Sequence, residues 1–399
     1  MKTIKCDIQL PASKSESNRA LMIAAYGGFD SDIQNLSKST DTELLKRILE
    51  NIGEDKIVDV KDCGTAARFM LTYLAGREGD WLLTGTKRMQ QRPMQGLITS
   101  LRQLGAEIYC IGEEGFLPIK IVGKQLKGGS AAVDVTHSSQ YASSLLLAAP
   151  MWTDGLELEL CGKLNSLSYI DMTIAIMCHY GAEVERVGRK IIVKSKSYCP
   201  KPLEVEPDWS AASYWFEIAA LSDGCDILLK GLSLRSLQGD VKVAKMAELI
   251  GVRTAPESGG LRLKKEALLA NDLSFDFSDT PDLFPAVVVM CAGLGMQASF
   301  TGIANLADKE SDRVEAMMAE LSKIGSDFVW YDDRLLLKSN ARVSVSDSCK
   351  SLAFNTYNDH RVAMALAPLQ FKIGPCKIDH PEVVAKSYPD FWDDFIKYC

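Results

Sequence analysis

At 399 residues, with 47% apolar and 24% charged side chains, the chain has ordinary globular usage and room for about two domains, which excludes disordered, collagen-like and fibrous architectures. Its 45 basic and 52 acidic residues leave a net charge of −7, so no overall field attracts nucleic acid or an anionic membrane, and any polyanion has to be met by a local basic cluster. Eleven cysteines without a Cys-x-x-Cys pair read as free, mostly core-filling thiols of a reducing, cytoplasmic compartment, and the four histidines (137, 179, 360 and 380) lack metal-ligand spacing.

The opening MKTIKCDIQL is polar and alternating, which predicts a strand rather than a secretory leader. From there two kinds of helix alternate to the C-terminus. The first kind, predicted over 18–27, 65–75, 139–149, 210–220, 283–293 and 360–369, is rich in Ala, Ser and bulky apolar residues and nearly free of charge beyond its first turn, so it is buried on all sides. The second is an amphipathic Leu/Ile/Met stretch followed by a glycine suited to a left-handed cap and then a short strand. Its copies end at Gly53, Gly105, Gly181, Gly251 and Gly325, and a sixth occupies 391–399. Segments 190–193 and 335–337 are typical of the intervening strands. The uncharged run 283–296 contains Pro285 and falls short of the ~20 residues that cross a bilayer, so it is a buried helix and no membrane span.

Six alternations form two domains of three, because a single core stops growing beyond about 250 to 300 residues. The polar, proline-containing stretch 194–207 marks the boundary. A continuous solenoid would repeat more evenly than glycine spacings of 52, 76, 70 and 74 residues allow.

Each inner helix opens on a polar cluster: SKSESNR (13–19), DCGTAAR (62–68), HSSQ (137–140), DWSAAS (208–213), TPD (280–282) and YNDHR (357–361). Helix capping accounts for any one of these. Six together suggest several helix N-termini aimed at anions, since exposed N–H donors and the helix dipole favour negative charge there. Lys14, Arg19, Arg92, Lys309, Arg313, Arg361 and Lys386 lie in or near such segments. An acidic protein that places cations there expects small phosphates and carboxylates. No phosphate-binding Gly-x-x-x-x-Gly-Lys-Ser/Thr loop, dinucleotide Gly-x-Gly-x-x-Gly or Gly-x-Ser-x-Gly elbow is present. Carboxylates such as Asp282 and Glu310 among the cations point instead to proton transfer on an anionic substrate.

The segments LPASKSESNRALMIAA (10–25), CGTAAR (63–68), QRPM (91–94), SSQYASSLLLAAP (138–150), SYIDMT (168–173), DKESDR (308–313), TYNDHRVAMALAP (356–368) and AKSYPDFW (385–392) resemble the 5-enolpyruvylshikimate-3-phosphate synthase family, in order and from end to end. The resemblance implies an α/β fold, a two-domain inside-out α/β barrel in which each domain has three βαβαββ repeats around buried helices. The first strand then joins the C-terminal half, giving domains 13–207 and 1–12 with 208–399, and an active site in the cleft between them. The implied reaction belongs to the shikimate pathway of aromatic amino-acid biosynthesis. It transfers the enolpyruvyl group of phosphoenolpyruvate to the 5-hydroxyl of shikimate 3-phosphate, through a tetrahedral intermediate and without metal or organic cofactor, in a monomer.

By the same resemblance Glu310 serves C3 of the enolpyruvyl group, Asp282 with Lys14 manages the hydroxyl proton, and Lys386 completes the catalytic set. Shikimate 3-phosphate is expected on Ser15, Arg19, Ser138, Ser139, Gln140, Ser166, Tyr169, Asp282, Asn305 and Lys309. Phosphoenolpyruvate is expected on Lys14, Gly64, Arg92, Gln140, Arg313, Arg361 and Lys386. The chain departs from the family pattern at Asp62-Cys63, Phe69, Leu167-Ser168 and Ala307-Asp308. Two rivals share the architecture: an enolpyruvyl transferase acting on UDP-N-acetylglucosamine, whose reactive Cys has no counterpart in 84–94, and a catalytically silent ligand-binding member.

Overall fold

The computed structural model describes residues 3–30, 32–52, 56–268, 272–338 and 352–399. The chain divides into two compact units, Ser13–Val205 and Met1–Ala12 with Glu206–Cys399.

In the first unit the helices are α1 (Lys14–Gly27), α2 (Thr40–Glu50), α3 (Gly64–Ala75), α4 (Gln95–Gln103), α5 (Gln140–Ala148) and α6 (Leu167–His179). Two four-stranded sheets share one plan. In the first, strands Ile57–Asp59 and Gly79–Thr84 are parallel, and Ile119–Gly123 and Glu107–Cys110 follow antiparallel. In the second, Gly129–Asp134 and Leu156–Cys161 are parallel, followed by Lys190–Val193 and Val184–Val187. Each sheet with its two helices is a βαβαββ repeat, the parallel pair needing a helical crossover and the last two antiparallel strands a direct connection, residues 111–118 in the first sheet and 188–189 in the second. Among the described residues the third repeat is closed by a two-stranded parallel pair, Ile33–Gln34 with Leu203–Glu204.

The second unit repeats the plan with α7 (Trp209–Leu221), α8 (Val243–Leu249), α9 (Phe284–Gly293), α10 (Arg313–Ser322), α11 (His360–Leu366), α12 (Gln370–Ile373) and α13 (Phe391–Tyr398). One sheet orders Thr3–Gln9, Gly224–Lys230, Gly260–Lys265 and Val252–Glu257, so the N-terminal strand lies parallel to a strand of the C-terminal half. The other orders Asp272–Asp276, Gln297–Thr301, Arg334–Lys338 and Asp327–Tyr331. A parallel pair, Leu352–Phe354 with Cys376–Ile378, belongs to the third repeat.

The inner helices meet one another, α1 with α3 and α5, and α7 with α9 and α11. Every residue of α7 and α9 is buried, as a predominantly apolar surface requires, with Glu217 of α7 buried among them. Within the first unit the amphipathic helices α4 and α6 cover α3, α5 and α1, and within the second α8 covers α7 and α10 covers α9; the glycines that follow them, Gly105, Gly181, Gly251 and Gly325, all have φ between +83° and +92°. Gly53 lies outside the described residues. Among the described residues no helix is long and apolar enough to cross a membrane.

Three expectations need correction. The inner helix predicted to run to 369 ends at Leu366, because Pro368 has no N–H to donate and its ring would meet the carbonyl of Met364; a 3-10 turn, Ala367–Leu369, follows. The predicted helix 18–27 begins earlier, at Lys14, because Ser13 caps it by accepting from the Glu16 N–H. The described cysteines are not mostly core-filling: Cys6, Cys63, Cys225 and Cys291 are buried, while Cys110, Cys161, Cys178, Cys199, Cys376 and Cys399 are partly or fully exposed, and all ten are free thiols.

Candidate functional site

In the first unit the site residues gather where the inner helices begin. Lys14, the first residue of α1, is ion-paired with Asp41 at 3.1 Å. Asp41 lies in the first turn of α2, and Cys63 Sγ approaches its backbone oxygen at 4.0 Å. Cys63 caps α3 by accepting from the Ala66 N–H at 3.3 Å, a task usually given to Ser, Thr or Asp. The Asp62 side chain is exposed.

Gly64 opens α3 without a side chain for a steric reason. A Cβ there would run into Arg68 Nη1 and sit 2.7 Å from Arg92 Nη1, so two buried guanidinium groups occupy the space that glycine leaves. Arg68 Nη2 also donates to Pro93 O at 3.2 Å, and the Tyr141 hydroxyl donates to the same oxygen at 2.5 Å. Gln140, the first residue of α5, donates from Nε2 to Thr65 Oγ1 at 3.0 Å and so ties the starts of α3 and α5 together. Ser138 Oγ accepts from the Gln140 N–H at 3.2 Å, and Ser139 is buried beside it. The result is a cluster of Gly64, Arg68, Arg92 and Gln140 at two helix N-termini, which favours an anion.

Arg19 sits in the body of α1 with 2% of its surface exposed. Its Nε donates to Thr173 Oγ1 at 2.7 Å, Nη1 to Ser15 O at 2.9 Å, and Nη2 to Ser143 Oγ at 3.3 Å and Tyr169 O at 3.2 Å. The Phe69 and Tyr169 rings each lie 5.8 Å from its guanidinium carbon. Burial pulls this guanidinium down to about 10, partly offset by Tyr169 and Glu16. Arg19, Ser15 and Tyr169 are therefore brought together, and the departure at Phe69 supplies an aromatic face to the arginine. Ser166 precedes α6 with φ 56° and ψ 40°, a left-handed conformation rare for serine. Its buried neighbour Asn165 donates to Thr136 O at 3.3 Å.

In the second unit the array centres on Arg313, the first residue of α10. It is fully buried and donates to Asp282 Oδ1 at 2.8 Å, Glu310 Oε2 at 3.0 Å and Asp359 Oδ2 at 2.9 Å. Arg361, in the first turn of α11, donates to the other Asp282 oxygen at 2.7 Å. Asp359 caps α11 through the Arg361 N–H at 2.9 Å and accepts from Ser311 Oγ at 3.0 Å. Burial would lower the pKa of Arg313, but Asp359, Glu310 and Asp282 outweigh it and raise it. Asn305 and Lys309 belong to the 3-10 turn Ala304–Asp308 and the residue after it, a turn that packs on α10. Lys386 closes the 3-10 turn Pro381–Lys386, packed on α11, and is itself buried. The departure at Asp308 ends the first of these turns and is partly exposed.

Several residues of these arrays were not assigned from sequence. Arg68 stands inside CGTAAR (63–68), whose sequence does not disclose what it touches, and Asp359 is the carboxylate that joins Arg313 to α11. Asp240, buried, accepts from Ser210 Oγ at 2.5 Å. Burial and then the charge of Asp282 push its carboxyl up to about 7, against the Ser210 hydroxyl and Arg361. Its sequence signal was the polar run Gln238-Gly239-Asp240 ahead of an outer helix.

In the second unit two guanidinium groups, three carboxylates and buried helix starts make an arrangement chemically suited to anion binding with proton transfer, on a fold built from βαβαββ repeats. The chain matches the family model described as EPSP synthase (3-phosphoshikimate 1-carboxyvinyltransferase) over residues 1–60 and 46–395. It is 43% identical over 397 residues to the 3-phosphoshikimate 1-carboxyvinyltransferase of Bacteroides fragilis, covering 99% of this chain and 95% of that one. The enzyme of the same name from Syntrophobacter fumaroxidans is 32% identical over 417 residues, covering 99% and 97%. The EPSP synthase structure from Acinetobacter baumannii superposes with a TM-score of 0.74 at 22% identity, covering 100% of this chain and 96% of that one. The chain belongs to the EPSP synthase family, and its fold is the two-domain inside-out α/β barrel.

Proposed function

We propose that this chain transfers the enolpyruvyl group of phosphoenolpyruvate to the 5-hydroxyl of shikimate 3-phosphate, releasing phosphate, as a cytoplasmic monomer of the shikimate pathway. Family membership supports the reaction, and ten free thiols support a reducing compartment. The observation that carries the chemistry is the Arg313 array, in which two buried arginines share Asp282 while Glu310 shares Arg313.

The hydroxyl oxygen adds to C2 of the enol as C3 takes a proton, giving a tetrahedral intermediate. Phosphate then leaves from C2 as C3 returns a proton, so no net proton is consumed at carbon. We assign Glu310 to the C3 proton, Asp282 with Lys14 to the hydroxyl proton, and Lys386 to charge on the reacting group. Phosphoenolpyruvate is assigned to Lys14, Gly64, Arg92, Gln140, Arg313, Arg361 and Lys386, where bidentate guanidinium contacts suit carboxylate and phosphate. Shikimate 3-phosphate is assigned to Ser15, Arg19, Ser138, Ser139, Gln140, Ser166, Tyr169, Asp282, Asn305 and Lys309, whose hydroxyl and amide groups suit a polyhydroxy ring.

Phosphate release from phosphoenolpyruvate tests the reading. It is expected with shikimate 3-phosphate and not with UDP-N-acetylglucosamine, and release with neither acceptor overturns it in favour of a silent ligand binder. Glu310→Gln should lower kcat by about 100-fold or more with little change in ligand affinity, since a general acid acts only in the transition state. Near-normal turnover removes Glu310 from the mechanism.

A further inference from the structure

Helix α10 touches the segment that leads into α11 at two places. At its first residue Arg313 holds Asp359. Seven residues later, two turns along on the same face, Glu320 reaches the other end of that segment. Glu320 is 1% exposed, and its carboxylate is fully engaged. Oε2 accepts from the Asn355 N–H at 3.0 Å and from Lys323 Nζ at 2.5 Å; Oε1 accepts from the Tyr357 hydroxyl at 2.8 Å and from Asn355 Nδ2 at 3.3 Å. Lys323 also donates to Ala353 O at 3.1 Å, drawing in the strand ahead of the loop.

The loop so held is unusual. Tyr357 and Asn358 both have φ 54°, two consecutive non-glycine residues in the left-handed region, a conformation kept only where the surroundings enforce it. Immediately afterwards come Asp359 and Arg361, which meet Arg313 and Asp282. On its other side the loop is tied by the Thr356 N–H to Asp379 Oδ1 at 2.5 Å. None of the roles assigned above involves Glu320.

We propose that Glu320 is a positioning residue for the α11 end of the site: by gripping Asn355 and Tyr357 it fixes the left-handed loop whose exit sets Asp359 and Arg361 against Arg313 and Asp282. The effect on catalysis rests on the assignment of Arg313 and Arg361 to phosphoenolpyruvate; the effect on the loop does not. A rigid helix that holds both ends of one segment makes the arginine geometry depend on the carboxylate two turns away.

Tyr357→Phe, a partly exposed change that leaves the packing in place, and Glu320→Gln test this. Loss of one hydrogen bond to a charged group is expected to raise KM for phosphoenolpyruvate about tenfold in Tyr357→Phe, and more in Glu320→Gln, with KM for shikimate 3-phosphate within about twofold of wild type. Combining the two changes should add little to Glu320→Gln alone, because both remove one grip. A merely stabilising role would lower Tm without separating the two substrates. Folded variants with an unchanged KM for phosphoenolpyruvate, or with equal shifts for both substrates, overturn the proposal. Hydrogen exchange of the 358–361 amides supplies a readout independent of turnover. Faster exchange in both variants supports the positioning, and unchanged exchange overturns it. An inactive wild type with faster exchange in the variants would instead condemn the assigned reaction.

Discussion

Glu217 shows what a single residue can conceal. It lies in the middle of α7 with none of its surface exposed, and among the described residues neither carboxylate oxygen has a hydrogen-bond partner. Burial alone raises its pKa well above the ordinary value, which favours the neutral acid. The unfolded chain releases that proton above about pH 4.3, and refolding must take it back, so stability falls by about 1.4 kcal/mol per pH unit until the folded-state pKa is reached. Glu217→Met should therefore stabilise the protein, by a margin in urea unfolding that widens as pH rises above the ordinary glutamate range. A margin independent of pH would mean that the acid is ionised or solvated. The composition of α7 disclosed its burial but not this acid's isolation, because isolation is a property of neighbours that come from other helices. The same limit applied to Arg68. Its motif was visible, and so was its place one turn beyond Gly64, while the arrival of Arg92 beside that glycine depends on a loop more than twenty residues away in sequence.

At the scale of elements, the local signals carried most of the information. The glycines after α4, α6, α8 and α10 were legible because a left-handed residue is needed where a helix turns into a strand, and only glycine takes that conformation without strain. The N-terminal strand was equally legible, because its alternation is reproduced residue by residue in burial. Caps were legible as candidates, since Ser, Thr and Asp accept from the first turn. The use of Cys63 at α3 was not, because a thiol is a weak acceptor that sequence rules do not favour. The end of α11 was missed because the apolar pattern continues through Pro368 although the hydrogen-bond ladder does not. A cap also bears on the site. Ser39 begins α2 by accepting from the Thr42 N–H at 3.3 Å, and α2 carries the Asp41 that holds Lys14. Ser39→Ala should cost on the order of 1 kcal/mol in chemical denaturation. No measurable loss would show that water replaces the hydroxyl without penalty.

At the scale of the whole molecule, the described strands of each unit pair within that unit. Among the described residues every strand of Ser13–Val205 pairs with a strand of the same unit, down to Ile33–Gln34, which meets Leu203–Glu204, and the Val205 N–H, which donates to Gln34 O. The fragment Ser13–Val205 should fold alone, giving a cooperative urea transition and a far-UV spectrum of mixed helix and strand. A random-coil spectrum would show that the unit needs the rest of the chain. The number of repeats was legible from the alternating helices, because burial on all sides and burial on one face leave different compositions. The two-stranded closures were not legible, because strands this short carry no periodicity.

The first strand of the chain belongs with the last unit: Thr3–Gln9 pairs with Gly224–Lys230 from Thr3 opposite Gly224 to Gln9 opposite Lys230. A ribosome delivers the earlier strand first and, at roughly 5 to 20 residues per second, its mate tens of seconds later. In that interval the newborn polypeptide can complete the unit Ser13–Val205 while the strand Thr3–Gln9, apolar on alternate residues, waits without a template. The nascent chain is thus most open to chaperones, and to mispairing with a neighbouring copy, at this early-made strand.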